Sequence, residues 1–247
     1  MKNHGRFVQC TYADARTLSS KKLIVGCVLF DLDGTLYFSP DYNARVEAEI
    51  TTIVAQTMKT GVSLAKRRLS EERKRQGTLT GALRVLGVNR SLFFETLAEK
   101  IEPPTYLTQD PSVIATISSL KKRGFKLGLV TNNGRRMVEK ILSAIGLDAS
   151  LFDVIVTSDD SEPKPSSQPF LFALEKLKCT PDEAVYVGDR VQAELLPARK
   201  LGIITVLLAR EGNTHKDQID VAITRLAELL SLIEPRQGPK NANATSE

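Results

Sequence analysis

The chain has 247 residues, 42% hydrophobic and 26% charged, with a net charge of +5 and three cysteines. Those totals suit one sizeable globular domain, or a core domain with a smaller companion. No apolar run nears the roughly 20 residues that cross a bilayer. Cys10, Cys27 and Cys179 lack metal-like spacing, and the two histidines, His4 and His215, sit in polar flanking segments, so neither a zinc centre nor a histidine-based site is expected.

Residues 1–22, MKNHGRFVQCTYADARTLSSKK, form an N-terminal extension without the continuous apolar core of a secretory signal, and a cytoplasmic location is expected. The apolar run LIVGCVLF (23–30) has the unalternating pattern of a strand buried on both faces. It ends in DLDGT, which sets Asp31 and Asp33 two positions apart. Residues 41–105 show no strand pattern and divide into about four helical stretches, broken at Gly61, Gly77 and Gly87. An insertion of that length exceeds an ordinary strand-to-helix loop and predicts an all-helical cap domain. Its basic run KRRLSEERKRQ (66–76) is expected to be a solvated helix face. Without interleaved aromatics or a recognisable binding module, it predicts no nucleic-acid binding.

Strand and helix alternate over the remainder. Apolar runs at 125–131, 152–158, 184–189 and 202–209 read as buried strands, with helical periodicity between them. The pattern predicts an α/β fold, a doubly wound parallel sheet whose core comprises residues 23–40 and 106–233. A final helix is expected near 220–233, and EPRQGPKNANATSE (234–247) reads as a disordered tail.

Open parallel sheets bind ligands beyond the carboxyl ends of their strands. There the first strand delivers Asp31 and Asp33, and the second Thr131, Asn132 and Asn133. Lys164 follows the third, and Gly188 and Asp189 end the fourth, with Glu194 five residues beyond Asp189. Each fragment alone is an ordinary turn or strand end. Converging on one edge, they form a constellation of acid, hydroxyl and amine. Residues i and i+2 of a strand share a face, so Asp31 and Asp33 reach the same ligand. Repulsion between the pair drives their proton affinities apart, which suits one ionised carboxylate beside one that holds a proton.

In these motifs the chain resembles the haloacid dehalogenase-like (HAD) hydrolase superfamily over about residues 23–230, within the capped branch of phosphoglycolate phosphatases and pyrimidine 5′-nucleotidases. The likeness rests on D-x-D-G-T at Asp31–Thr35, on Thr131, on the lysine of K-P at Lys164, and on Gly188–Asp189 followed by Glu194. It implies a Rossmann-like core and hydrolysis of a small phosphomonoester, of the 2-phosphoglycolate or nucleoside 5′-monophosphate type. Asp31 would be the nucleophile that forms an aspartyl-phosphate, and Asp33 the general acid and base. Lys164 would assist catalysis and, with Thr131 and Asn132, bind the phosphate. Mg²⁺ would be held by Asp31, Asp189 and the Asp33 carbonyl, with Glu194 orienting its waters. A phosphomutase or phosphotransferase of the same superfamily, or a non-catalytic HAD-fold binding protein, is the alternative. No membrane partner is implied, and the oligomeric state is open between monomer and dimer. Two positions depart from the commonest pattern: Arg190 stands where a small hydroxyl residue is frequent, and Glu194 where aspartate is usual.

Overall fold

The computed structural model describes residues 22–210 and 218–236. His4, Cys10, His215, the N-terminal extension up to residue 21 and residues 237–247 of the expected tail lie outside them. The opening apolar run is two strands divided at Gly26: β1 (Leu23–Val25) and β2 (Cys27–Phe30). β2 lies inside a six-stranded parallel sheet with β3 (Lys126–Val130), β4 (Val154–Val156), β5 (Ala184–Gly188), β6 (Ile204–Leu208) and β7 (Val221–Ile223), in the order β4-β3-β2-β5-β6-β7. β2 pairs with both neighbours, placing Leu29 beside Gly128 on one side and Tyr186 on the other.

Every residue of β2 is buried, because alternate side chains enter apolar layers on opposite faces of the sheet. Val28 and Phe30 join the layer covered by α5 (Pro111–Lys122) and α6 (Arg135–Ala144). Cys27 and Leu29 join the layer covered by α7 (Gln168–Leu177) and α8 (Leu196–Lys200). Helices on both faces of a parallel sheet make this a doubly wound α/β fold, as the alternating pattern predicted.

Between β2 and α5 the chain forms four consecutive helices: α1 (Pro40–Thr57), α2 (Val62–Gln76), α3 (Leu79–Val85) and α4 (Arg90–Lys100). Local signals set their ends. Ser39 accepts from Tyr42 N ahead of Pro40, Thr78 caps α3, and Asn89 caps α4. Gly77, at φ 73°, ends α2 in the left-handed conformation that glycine adopts without penalty. Ile53, Leu69, Leu83 and Phe93 belong to the same apolar layer as α5 and α6, so these helices are packed onto the core.

The C-terminal part differs from the expected single helix at 220–233. That segment holds strand β7, a 3₁₀ turn at Leu226–Glu228, the short helix α9 (Leu229–Leu232) and the start of strand β8 (Ile233–Pro235). β7 is held as an edge strand against β6, and the preceding Asp220 accepts from both Thr205 N and Thr205 Oγ1. β8 pairs in parallel with β1, so residues 234–235 of the expected disordered tail are strand. Among the described residues, no helix is long and apolar enough to cross a membrane.

Candidate active site

The carboxyl edge of the sheet gathers its polar groups from four strand exits. Asp31 follows β2, and its carboxylate is buried. The turn after it depends on Gly34, whose φ is +78° and at which a Cβ would lie 2.2 Å from Asp189 Oδ2. Only a residue without a side chain lets the two strand exits approach this closely.

Lys164 is delivered by the long connection after β4. Asn132, beyond β3, holds that connection from both sides: its Nδ2 donates to Lys164 O at 2.9 Å, and Lys164 N donates to its Oδ1 at 2.8 Å. The ammonium group is fully buried and donates to Asp31 Oδ1 at 2.5 Å and Tyr186 Oη at 2.9 Å. It also lies 3.3 Å from Glu194 Oε1. Asp33 accepts from Tyr37 Oη and, at 2.6 Å, from Asn133 Nδ2. Thr131 is buried, and its hydroxyl accepts from Asn133 N at 3.2 Å, which shapes the turn presenting Asn132 and Asn133.

The predicted acids and the lysine therefore share one site. Tyr186 escaped the sequence reading, although a tyrosine inside an otherwise aliphatic buried strand needs a partner for its hydroxyl. Asn133 stood in the right turn, yet its grip on Asp33 has no sequence signature. Tyr37, just past the first motif, donates its hydroxyl hydrogen to Asp33.

Burial, reinforced by the Glu194 charge, pushes Asp31 up to about 8 against the pull of Lys164. Burial and then Glu194 push Asp189 up to about 6. Burial also raises Asp33, opposed mainly by its bond from Tyr37. Desolvation leads each of these shifts, and at Asp31 and Asp189 the neighbouring Glu194 charge adds to it. Asp31, Asp189 and Glu194 each offer an oxygen within 4.8 Å of the others. Asp31 Oδ2 and Glu194 Oε2 are buried with no hydrogen-bond donor among the described residues. Hard carboxylate oxygens left without donors around one point suit a divalent cation such as Mg²⁺.

The edge opens into a cavity of about 510 Å³. Asp31, Asp33, Lys164 and Asp189 line its floor; Glu47 of α1 and Arg73 of α2 line it from the helical side.

Residues 25–202 match the family model of haloacid dehalogenase-like hydrolases, and the chain belongs to that family. Glyceraldehyde 3-phosphate phosphatase of Methanopyrus kandleri is 30% identical over 238 residues, covering 85% of this chain and 97% of that protein. Pyrophosphatase PpaX of Bacillus cereus is 47% identical over 127 residues, 49% of this chain and 58% of its own. A solved HAD phosphatase from Thermococcus onnurineus is 27% identical with a TM-score of 0.65, covering 83% of this chain and 96% of that one. The resemblance carried by the four motifs thus holds across the fold, and the chain is an enzyme of the hydrolase class.

Replacing Gly34 by Ala tests the close approach of the two strand exits. The new methyl must displace Asp189 or the turn, and misplacement near 1 Å costs about 100-fold in turnover. We expect a loss of that order in kcat/KM for phosphate release, with the circular dichroism spectrum unchanged. Wild-type kinetics would show that the turn and Asp189 are not coupled.

Proposed function

We propose that the protein is a Mg²⁺-dependent hydrolase of small phosphomonoesters working through an aspartyl-phosphate. The observation that carries this reading is the buried Lys164 ammonium 2.5 Å from Asp31, beside carboxylate oxygens that lack donors. In the proposed reaction Asp31 attacks phosphorus, and the bond from phosphorus to the leaving oxygen breaks in line with it. Asp33 delivers its proton to that oxygen, then takes a proton from the water that cleaves the acyl phosphate. Burial favours the protonated state of Asp33, while Tyr37 and Asn133 fix the carboxyl's direction. Lys164 offsets charge between the nucleophile and the phosphate. Asn132 and the turn around Thr131 supply donors at phosphate oxygens. Asp31, Asp189, the Asp33 carbonyl and Glu194 are the groups that would hold or orient Mg²⁺. Bound there, it would neutralise the phosphate and its acidic surroundings.

The four helices over the site act as the cap in this reading, so substrate choice falls to their cavity wall. Arg73 Nη1 donates to both oxygens of Glu47, at 2.9 and 2.7 Å. A guanidinium already matched by a carboxylate offers little surplus charge to a second anionic group. The wall therefore favours an uncharged, hydroxylated tail, as in glyceraldehyde 3-phosphate, over the carboxylate of 2-phosphoglycolate. A nucleoside 5′-monophosphate remains a candidate of the same reaction class.

The test is inorganic phosphate release from a panel of these esters, with Mg²⁺ and with excess chelator. Release with Mg²⁺ that stops in chelator is the expected result. Full turnover in chelator contradicts the metal role, and phosphate transfer to a sugar without release points to a mutase.

A further inference from the structure

The two positions at which this chain departs from the commonest family pattern, Arg190 and Glu194, are bonded to each other. Arg190 caps a single π-helical turn, Val191–Leu195, and its carbonyl accepts from Glu194 N at 3.1 Å and Leu195 N at 3.3 Å. Its side chain returns along the same turn: Nε and Nη2 donate to Glu194 Oε1 at 2.9 and 2.6 Å. Lys164 approaches that same oxygen at 3.3 Å. One carboxylate oxygen thus receives both cations, while Glu194 Oε2 is buried without a donor among the described residues. Gly188 makes room for it, since a Cβ there would lie 2.7 Å from Oε2.

Glutamate carries one more rotatable bond than aspartate, and an acid on a longer stem samples more directions unless something holds it. Two donors of one planar guanidinium fork converging on a single oxygen hold that oxygen from two directions, which a lysine's point charge does not. We propose that Arg190 is a positioning residue: by locking Glu194 Oε1 it turns Oε2 toward the cation position shared with Asp31 and Asp189. On this view the longer acid and the arginine are a matched pair, the second compensating for the extra freedom of the first. The inference rests on the Mg²⁺ reading above.

Two physical effects of removing Arg190 have opposite signs. Losing a nearby positive charge strengthens attraction for a cation. Losing the lock on Glu194 weakens it, since an outer group that orients a metal site typically contributes 10–100-fold in affinity. The experiment is calorimetric titration of Mg²⁺ into chelator-treated, full-length protein, repeated with Mn²⁺ followed by electron paramagnetic resonance. It compares wild type with Arg190→Ala and Arg190→Lys. We expect the Mg²⁺ Kd to rise about 10-fold or more in Arg190→Ala. A smaller but clear rise is expected in Arg190→Lys, which keeps the charge and loses the fork. Saturating Mg²⁺ should restore phosphate release in the lysine variant. A Kd that is unchanged or lower in the alanine variant overturns the positioning role. Should that variant fail to fold, a lysine variant with wild-type Kd overturns it equally. If the wild type binds neither ion, the metal reading itself falls and takes the inference with it. If all three proteins bind alike, only the inference falls.

Discussion

Asp31→Asn is expected to abolish hydrolysis, by about 10³-fold or more in kcat, without lowering the melting temperature of the metal-free protein. The loss follows from the proposed role: an amide is a poor nucleophile, and no second residue can form the same acyl phosphate. The stability half follows from burial. In the folded protein Asp31 is raised to about 8 from 3.8, chiefly by desolvation and then by Glu194. A carboxyl raised in this direction contributes stability that is present below 3.8 and lost as pH rises through about 8. At neutral pH the charge is thus already disfavoured by its site, and the isosteric amide removes it. Lys164 keeps Glu194 and Tyr186 as partners. Phosphate release assays and thermal melts in chelator decide the matter. Turnover at the wild-type level would refute the nucleophile assignment.

Lys164→Met should cost both activity and stability. The ammonium is buried and touches Asp31, Glu194 and Tyr186. Methionine fills similar volume but removes the cation shared by Asp31 and Glu194. Since burial already favours a neutral Asp31 and Arg190 still holds Glu194, the loss is that of buried hydrogen bonds, about 1–3 kcal/mol. A denaturant titration of the metal-free protein should show a loss of that size. Mg²⁺ should recover part of it, since a cation among the same carboxylates offsets the same repulsion. A midpoint equal to that of the wild type would mean that Lys164 does not balance the acidic cluster.

Strands and motifs were legible in the sequence where the signal is local. β2, β3, β5 and β6 lie in mostly apolar runs, and Asp31, Thr131 and Asp189 directly follow the first three of them. β7 was not legible. Its three residues, Val221–Ile223, are a strand because β6 lies beside them and Thr205 ties down Asp220; taken alone, the segment has helical spacing. The break at Gly26 was hidden for the same reason, since β1 and β2 read as one apolar run and differ in their pairing partners. At the site, Asp31, Asp33, Lys164, Asp189 and Glu194 are motif residues. Tyr186 and Asn133 hold the lysine and the second acid through contacts 22 and 100 residues apart along the chain. Pattern within a window does not report such contacts.

The pairing of β1 with β8 places the two ends of the described core side by side, Leu23 opposite Ile233. β1 precedes the amino end of β2, and Gly26 N bonds to Glu183 O just before β5 begins, so this small sheet lies at the edge opposite the carboxyl ends. A tether or fusion partner joined directly to either end of the described core would therefore leave from the back of the molecule. Enzyme attached at residue 22 or residue 236, the two ends of the described core, would present its cavity outward.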